Sequence, residues 1–183
     1  MEVLNIQPTP NPNAFKFVVD QTLQAEGSRY YNNPTEATAD PLATALFAVH
    51  GVETVYIAQD FATITSSQEA SRETLHSQIQ EVLKSHEGGG GTATATVMPG
   101  TDGVISDEPE LIKQIDALLD DRVRPALAGD GGGLQLLRLE SKVLTIRYEG
   151  ACGSCPSSIG GTLMAIQNLL QMEIDEGLTV VSG

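Results

Sequence analysis

Four glycines in a row, Gly88 to Gly91, run directly into an alternating threonine and alanine stretch from Thr92 to Thr96. Glycine loses more conformational freedom on folding than any other residue, so four together cannot sit inside a regular element. One continuous core cannot be built across this seam. Residues 88–105 are therefore expected to form a flexible linker. Residues 1–87 and 106–183 are then expected to fold as two small modules, which suits a chain of 183 residues. Charge does not separate them, because residues 1–87 carry 11 acidic and 4 basic side chains and residues 109–183 carry 10 and 6. Pattern does.

In the first module, Val3–Gln7 and Phe15–Val19 read as strands around the proline-punctuated turn PTPNPN. Asp40 followed by Pro41 marks a helix start, an N-cap and then a proline at the first helical position. The helix is expected over Leu42–His50, with Gly51 closing it. Val52–Ala58 and Phe61–Thr65 read as a hairpin turning at Gln59 and Asp60. A helix over Ser71–Ser85 then places Leu75, Ile79, Val82 and Leu83 on one face.

In the second module, Ser106 or Asp107 can cap a helix in which Leu111, Ile112, Ile115, Leu118, Leu119 and Val123 recur at helical spacing. Pro125 has no N–H to donate and should end or kink that helix. Beyond Gly129-Asp130-Gly131-Gly132-Gly133, Leu134–Leu139 and Val143–Tyr148 read as strands, the second with period-two alternation. Pro156 opens a helix with a stripe of Ile159, Leu163, Ile166, Leu170 and Ile174. Gly177 ends it, and Leu178–Val181 make a last strand. The order is α-β-β-α-β, and the fold class of the whole chain is α+β, two small modules joined by the glycine-rich linker.

The net charge of −14 argues against nucleic acid, whose phosphates need clustered Lys and Arg. It argues equally against an anionic membrane surface. No apolar run approaches the ~20 residues of a membrane span. The opening MEVLNIQPTPNPN lacks the basic and apolar regions of a signal peptide and the arginine-rich character of a transit peptide. The expected location is cytoplasmic (bacterial), or organellar if a transit peptide has already been removed.

Both cysteines of the chain lie in GACGSCPSS, as Cys152 and Cys155. Two cysteines in a chain of this length are not a disulfide framework. The CxxC falls between a strand end and a helix N-terminus, where free N–H groups and the helix dipole favour thiolate over thiol. Glycine and serine around the motif lead to both thiols being expected near the surface. Three functional readings stand beside an inert reduced pair, which is usually buried. A redox dithiol generally carries an aromatic residue before the motif and a proline within it, and this chain has Gly153-Ser154 there. Tetrahedral zinc or an iron–sulfur cluster takes four ligands, and the chain supplies two sulfurs. His50, His76 and His86 all precede the linker, which disfavours a Cys₂His₂ site in one chain. The simplest completion is a second copy, giving four cysteines across a two-fold axis. A 4Fe–4S core held this way carries a charge of about −2, which two facing helix N-termini would offset.

The segment from Val123 to Ser158, VRPALAGDGGGLQLL…VLTIRYEGACGSCPSS, resembles the C-terminal domain of the NifU-like (Nfu-type) family. QPTPNPNAFKFVV (Gln7 to Val19) and DPLATALFAVHGVETVYIAQDFATIT (Asp40 to Thr65) resemble the family's N-terminal domain. Gly133 departs from the pattern, standing where the family usually has a second Asp. The resemblance implies a non-enzymatic iron–sulfur scaffold and carrier. Cys152 and Cys155 match its ligand positions for a 4Fe–4S cluster, with a 2Fe–2S form left open. It further implies a homodimer when cluster-bound, delivery to apo iron–sulfur proteins, and upstream cluster-assembly proteins as donors. The rivals are a dithiol–disulfide oxidoreductase using the same CxxC and a zinc-stabilised interaction domain.

Overall fold

A computed structural model describes residues 1–25, 27–67, 71–86, 104–153 and 156–183, with only the backbone considered over 156–159. All of the expected linker except its last two residues lies outside the described residues. The chain forms two compact units, Met1–Val97 and Met98–Gly183. Both mix helices with a sheet, so the α+β class holds for each.

The first unit contains β1 (Val3–Pro8), β2 (Ala14–Val19), β3 (Ser28–Tyr31), α1 (Pro41–Phe47), β4 (Val52–Ala58), β5 (Phe61–Ser66) and α2 (Arg72–Ser85). Its sheet runs β1-β2-β5-β4-β3, antiparallel at every pairing. Phe17, Leu46, Ile57, Ile64, Ile79 and Leu83 are fully buried where helices meet sheet. Burying one such side chain contributes roughly 1.5–3 kcal/mol. Asp40 caps α1 as expected, its Oδ1 accepting from the N–H groups of Leu42 at 3.0 Å and Ala43 at 3.1 Å.

Two features of this unit differ from the sequence expectation. α1 stops at Phe47 rather than His50, and a tighter turn through Val49 N–H to Leu46 O carries the chain to Gly51 at φ 91°. The strand β3 is not among the expected elements, because its core-facing positions are Arg29 and Tyr31 rather than two aliphatics. Arg29 is admitted to the interior by Asp40, which accepts from both the guanidinium and the Tyr31 hydroxyl. A buried charge is tolerated only with such a partner.

The second unit contains β6 (Ile105–Ser106), α3 (Pro109–Arg122), α4 (Arg124–Gly129), β7 (Gly132–Glu140), β8 (Val143–Gly150), α5 (Pro156–Glu173) and β9 (Thr179–Ser182). The sheet order is β6-β7-β8-β9. The outer pairings are parallel and the β7–β8 hairpin is antiparallel. Ile112, Ile115, Leu119, Leu139, Leu144, Ile146, Ile166 and Leu170 make its core. Pro125 does break the first helix: α3 ends at Arg122 and α4 starts at Arg124.

Here too the structure corrects details. Ile105, assigned to the linker, pairs with Arg138 in a two-residue parallel strand. Neither Ser106 nor Asp107 caps α3, whose N-cap is Glu108 with Pro109 following. The Ser106 hydroxyl accepts from the Glu108 N–H at 3.1 Å. The Asp107 carboxylate instead accepts from the Ser141 N–H at 2.9 Å, across the sheet at the β7–β8 turn. That turn needs the help, since Ser141 and Lys142 both hold positive φ, at 51° and 61°.

Candidate metal centre

The junction between β8 and α5 is shaped first by glycine. β8 ends at Gly150 with φ 63°, and Gly131, just before β7, has φ 76°. Both are left-handed conformations that a β carbon would disfavour. The two glycine segments face each other across the hairpin, Gly132 opposite Gly150 and Gly133 opposite Glu149. The Ala151 N–H donates to Gly131 O at 3.2 Å, and the Gly153 N–H donates to Gly150 O at 3.1 Å. These bonds fold the cysteine loop back against the start of β7.

Cys152 is consequently buried, 9% exposed, and belongs to the same apolar cluster as Leu134 and Tyr148. This overturns the expectation that both thiols lie near the surface. A β carbon on Gly132 would sit 2.7 Å from Cys152 Sγ and 2.8 Å from the Glu149 carbonyl oxygen. The sulfur thus occupies space that any other residue at 132 would fill. Cys155, with Ser154, lies outside the described residues, as do the side chains of 156–159, Ile159 of the expected stripe among them.

Tyr148 adds a group that the sequence pattern absorbed into the apolar alternation of β8. It is 6% exposed, and its hydroxyl has no hydrogen-bond partner among the described residues. Burial, and then the negative Cys152 beside it, push the phenol up to about 12. The available signal was chemical: Tyr is an apolar body with a polar tip, and a buried tip needs a partner. Glu149 is also buried. Standing opposite Gly133, it supplies a carboxylate at the rung where that position lacks one.

All three histidines belong to the first unit. His76 packs against the rings of Phe15 and Phe17 at 4.4 and 5.6 Å, inside the first unit. What the junction offers is one buried cysteine just past a strand end, a buried unpartnered phenol in the same core cluster, and backbone held close by glycine.

Residues 4–89 match the family described as "Scaffold protein Nfu/NifU N terminal", and residues 115–181 match the "NifU-like domain". The chain belongs to the NifU-like, Nfu-type family. Proteins called "NFU1 iron-sulfur cluster scaffold homolog, mitochondrial" from Drosophila erecta and Drosophila yakuba are each 33% identical over 175 residues, which is 94% of this chain. This Nfu-type chain spans 62% of the length of those relatives, less than two thirds. A NifU-like protein from Saccharomyces cerevisiae, solved in solution, is 28% identical with a TM-score of 0.40, covering 45% of this chain and 77% of that one. A crystallised Staphylococcus aureus protein is 22% identical with a TM-score of 0.41, covering 45% and 99%. Among the described residues, no helix of the Nfu-type chain is long and apolar enough to cross a membrane.

Proposed function

We propose that this Nfu-type chain is a non-enzymatic iron–sulfur cluster scaffold and carrier. Cys152 and Cys155 of one copy and the same pair of a second would hold a 4Fe–4S cluster as cargo and pass it to apo-proteins. The observation that carries the reading is Cys152 itself, seated at the β8–α5 junction with glycine backbone cleared around its sulfur. The relatives' names, which describe iron–sulfur scaffolds, agree with it. Nothing in the family match favours the dithiol oxidoreductase. The proposed setting is a reducing compartment, cytoplasmic or organellar, and the relatives' mitochondrial names fit the second.

Chemically, hand-over is ligand exchange. Each acceptor thiolate that binds iron replaces one scaffold sulfur, and an acceptor with better-placed cysteines wins. The chain contains no GxxxxGK[ST] motif, so transfer is assigned no nucleotide. Candidate partners are apo iron–sulfur proteins downstream and cluster-assembly proteins upstream.

The test is anaerobic reconstitution with iron and sulfide, followed by Mössbauer spectroscopy and native mass. The expected product is a dimer with about four irons, matching Cys₄ ligation of one 4Fe–4S core. The loaded protein should then activate an apo 4Fe–4S enzyme even with an iron chelator present. Activation abolished by the chelator would reduce the protein to passive iron storage and end the carrier reading.

A further inference from the structure

We propose that the uncovered face of the second unit's sheet docks the protein that receives the cluster, by binding an acidic amphipathic helix of that protein. The inference rests on the carrier reading and adds to it the acceptor's landing surface.

The helices α3, α4 and α5 share one apolar cluster with Leu136, Leu144, Ile146 and Val180 of the sheet. Alternate residues point to the opposite face, where strand register lines them into rows. Ile105, Arg138, Thr145 and Val181 form one such row across all four strands. Val143 stands in the next row, between Glu140 and Thr179. Leu137, at the β7 irregularity, joins them. Its Cδ1 and Thr145 Cγ2 would lie 3.0 and 2.7 Å from a β carbon on Gly183. Ile105 is 55% exposed, Val143 39% and Val181 37%. Among the described residues, the other large apolar side chains exposed in the second unit are Met164 and Met172 of α5, so most of the exposed apolar groups gather on this face. Among the described residues, no helix of the second unit covers it.

Charge selects the occupant. In the second unit Lys113, Arg122, Arg124, Arg138 and Lys142 each pair with a carboxylate. Arg147, exposed on β8 and opposite Gln135 of β7, has no ion pair among the described residues. Glu149, two residues further along the same face, is buried and forms no ion pair with it. A second copy docked about a two-fold axis would offer this face only another unpaired Arg147. A partner segment with a carboxylate answers the guanidinium, and its apolar side chains answer the row. Shape favours a helix. Backbone groups of paired strands are spent in the ladders, so an extended segment adds at a sheet edge rather than on a face. Four strands span about 14 Å, enough to seat one helix of about 10 Å diameter. Position favours the acceptor. Arg147 precedes Gly150 by about 10 Å along β8, and Cys152 follows two residues later. A partner seated here lies beside the strand that leads into the cysteine loop.

The experiment uses the full chain loaded with 4Fe–4S anaerobically, with an apo 4Fe–4S enzyme as acceptor. Transfer rate is followed against acceptor concentration for wild type, Val181→Glu, Arg147→Glu and Arg147→Lys, and in parallel against a small-molecule dithiol. Val181→Glu and Arg147→Glu should each raise the half-saturating acceptor concentration about ten-fold. Transfer to the small dithiol, which needs no landing surface, should match wild type in both. Arg147→Lys should recover most of the rate to the protein acceptor. Added salt should slow wild-type transfer to the protein acceptor, and Arg147→Glu should lose that dependence. Half-saturating concentrations equal to wild type in both Glu variants overturn the proposal. Equal loss of transfer to both acceptors also overturns it, because the face would then serve the cluster site itself. A dimer of the cluster-free chain that Val181→Glu splits assigns the face to a second copy, with the same consequence. Should one Glu variant fail to fold, the other decides alone. Failure of the carrier reading is distinguishable, because it appears as a wild-type protein that takes up no cluster, and it removes this partner with it.

Discussion

Gly132 on β7 leaves the space that the sulfur of Cys152 occupies: a β carbon at 132 would lie 2.7 Å from Sγ and 3.1 Å from the cysteine's own β carbon. The residue that makes the cysteine's seat is therefore on the neighbouring strand, not in the CxxC loop. Gly132→Ala should push the loop off β7, costing roughly 1–3 kcal/mol by overpacking. Cluster retention should fall with it. Gly129→Ala, whose added carbon meets nothing within 4 Å, is the control and should leave both nearly unchanged. Urea denaturation and iron content after gel filtration check the pair. Equal behaviour of the two variants would show that the close approach has no consequence.

Cys152→Ser follows from the same geometry. A cysteine on an open surface loop would tolerate serine within roughly 1 kcal/mol. Cys152 is buried among apolar side chains, so a serine hydroxyl there should cost about 1–3 kcal/mol. Residue-resolved urea titration by NMR should show the loss confined to the second unit, together with loss of stable cluster binding. Cluster binding equal to wild type would refute the ligand assignment.

Asp40 performs two tasks in the first unit, capping α1 through Oδ1 and pairing with buried Arg29 through Oδ2. Asp40→Ala strands the guanidinium and uncaps the helix, and should cost about 3–5 kcal/mol. Asp40→Asn can keep the cap, worth about 1 kcal/mol, and should be milder by that amount. Thermal unfolding of the three proteins gives the order directly.

His76 should make the first unit sensitive to acid. Burial, reinforced by the Arg72 charge, holds its imidazole below the ordinary value of 6.5. A base with a lowered folded value binds its proton more readily when unfolded. Its contribution is therefore intact above about pH 6.5 and is lost as pH falls from there towards the folded value. His76→Phe should flatten stability over that window. Equilibrium unfolding between pH 5 and 7.5 is the measurement, and parallel profiles would show that His76 is not the titrating group.

The elements whose determinants are local were legible in the sequence. β4 and β5 carry continuous β-rich runs, α2 repeats Leu75, Ile79 and Leu83 at helical spacing, and Asp40-Pro41 writes its own helix start. The pair Cys152 and Cys155 stood out because two thiols at that spacing have few other uses. What stayed hidden depends on partners distant in sequence. β3 carries Arg29 inside because Asp40 waits there, and Ile105 becomes a strand because β7 offers an edge at Arg138. Asp107 serves the turn at Ser141 rather than its own helix. Cys152 is buried because Gly132, on the paired strand, has no side chain, and Tyr148 belongs to the same buried cluster. Periodicity reports which face of an element is apolar. Only packing decides which polar atom on that face finds a partner, because the partner is brought by another part of the chain.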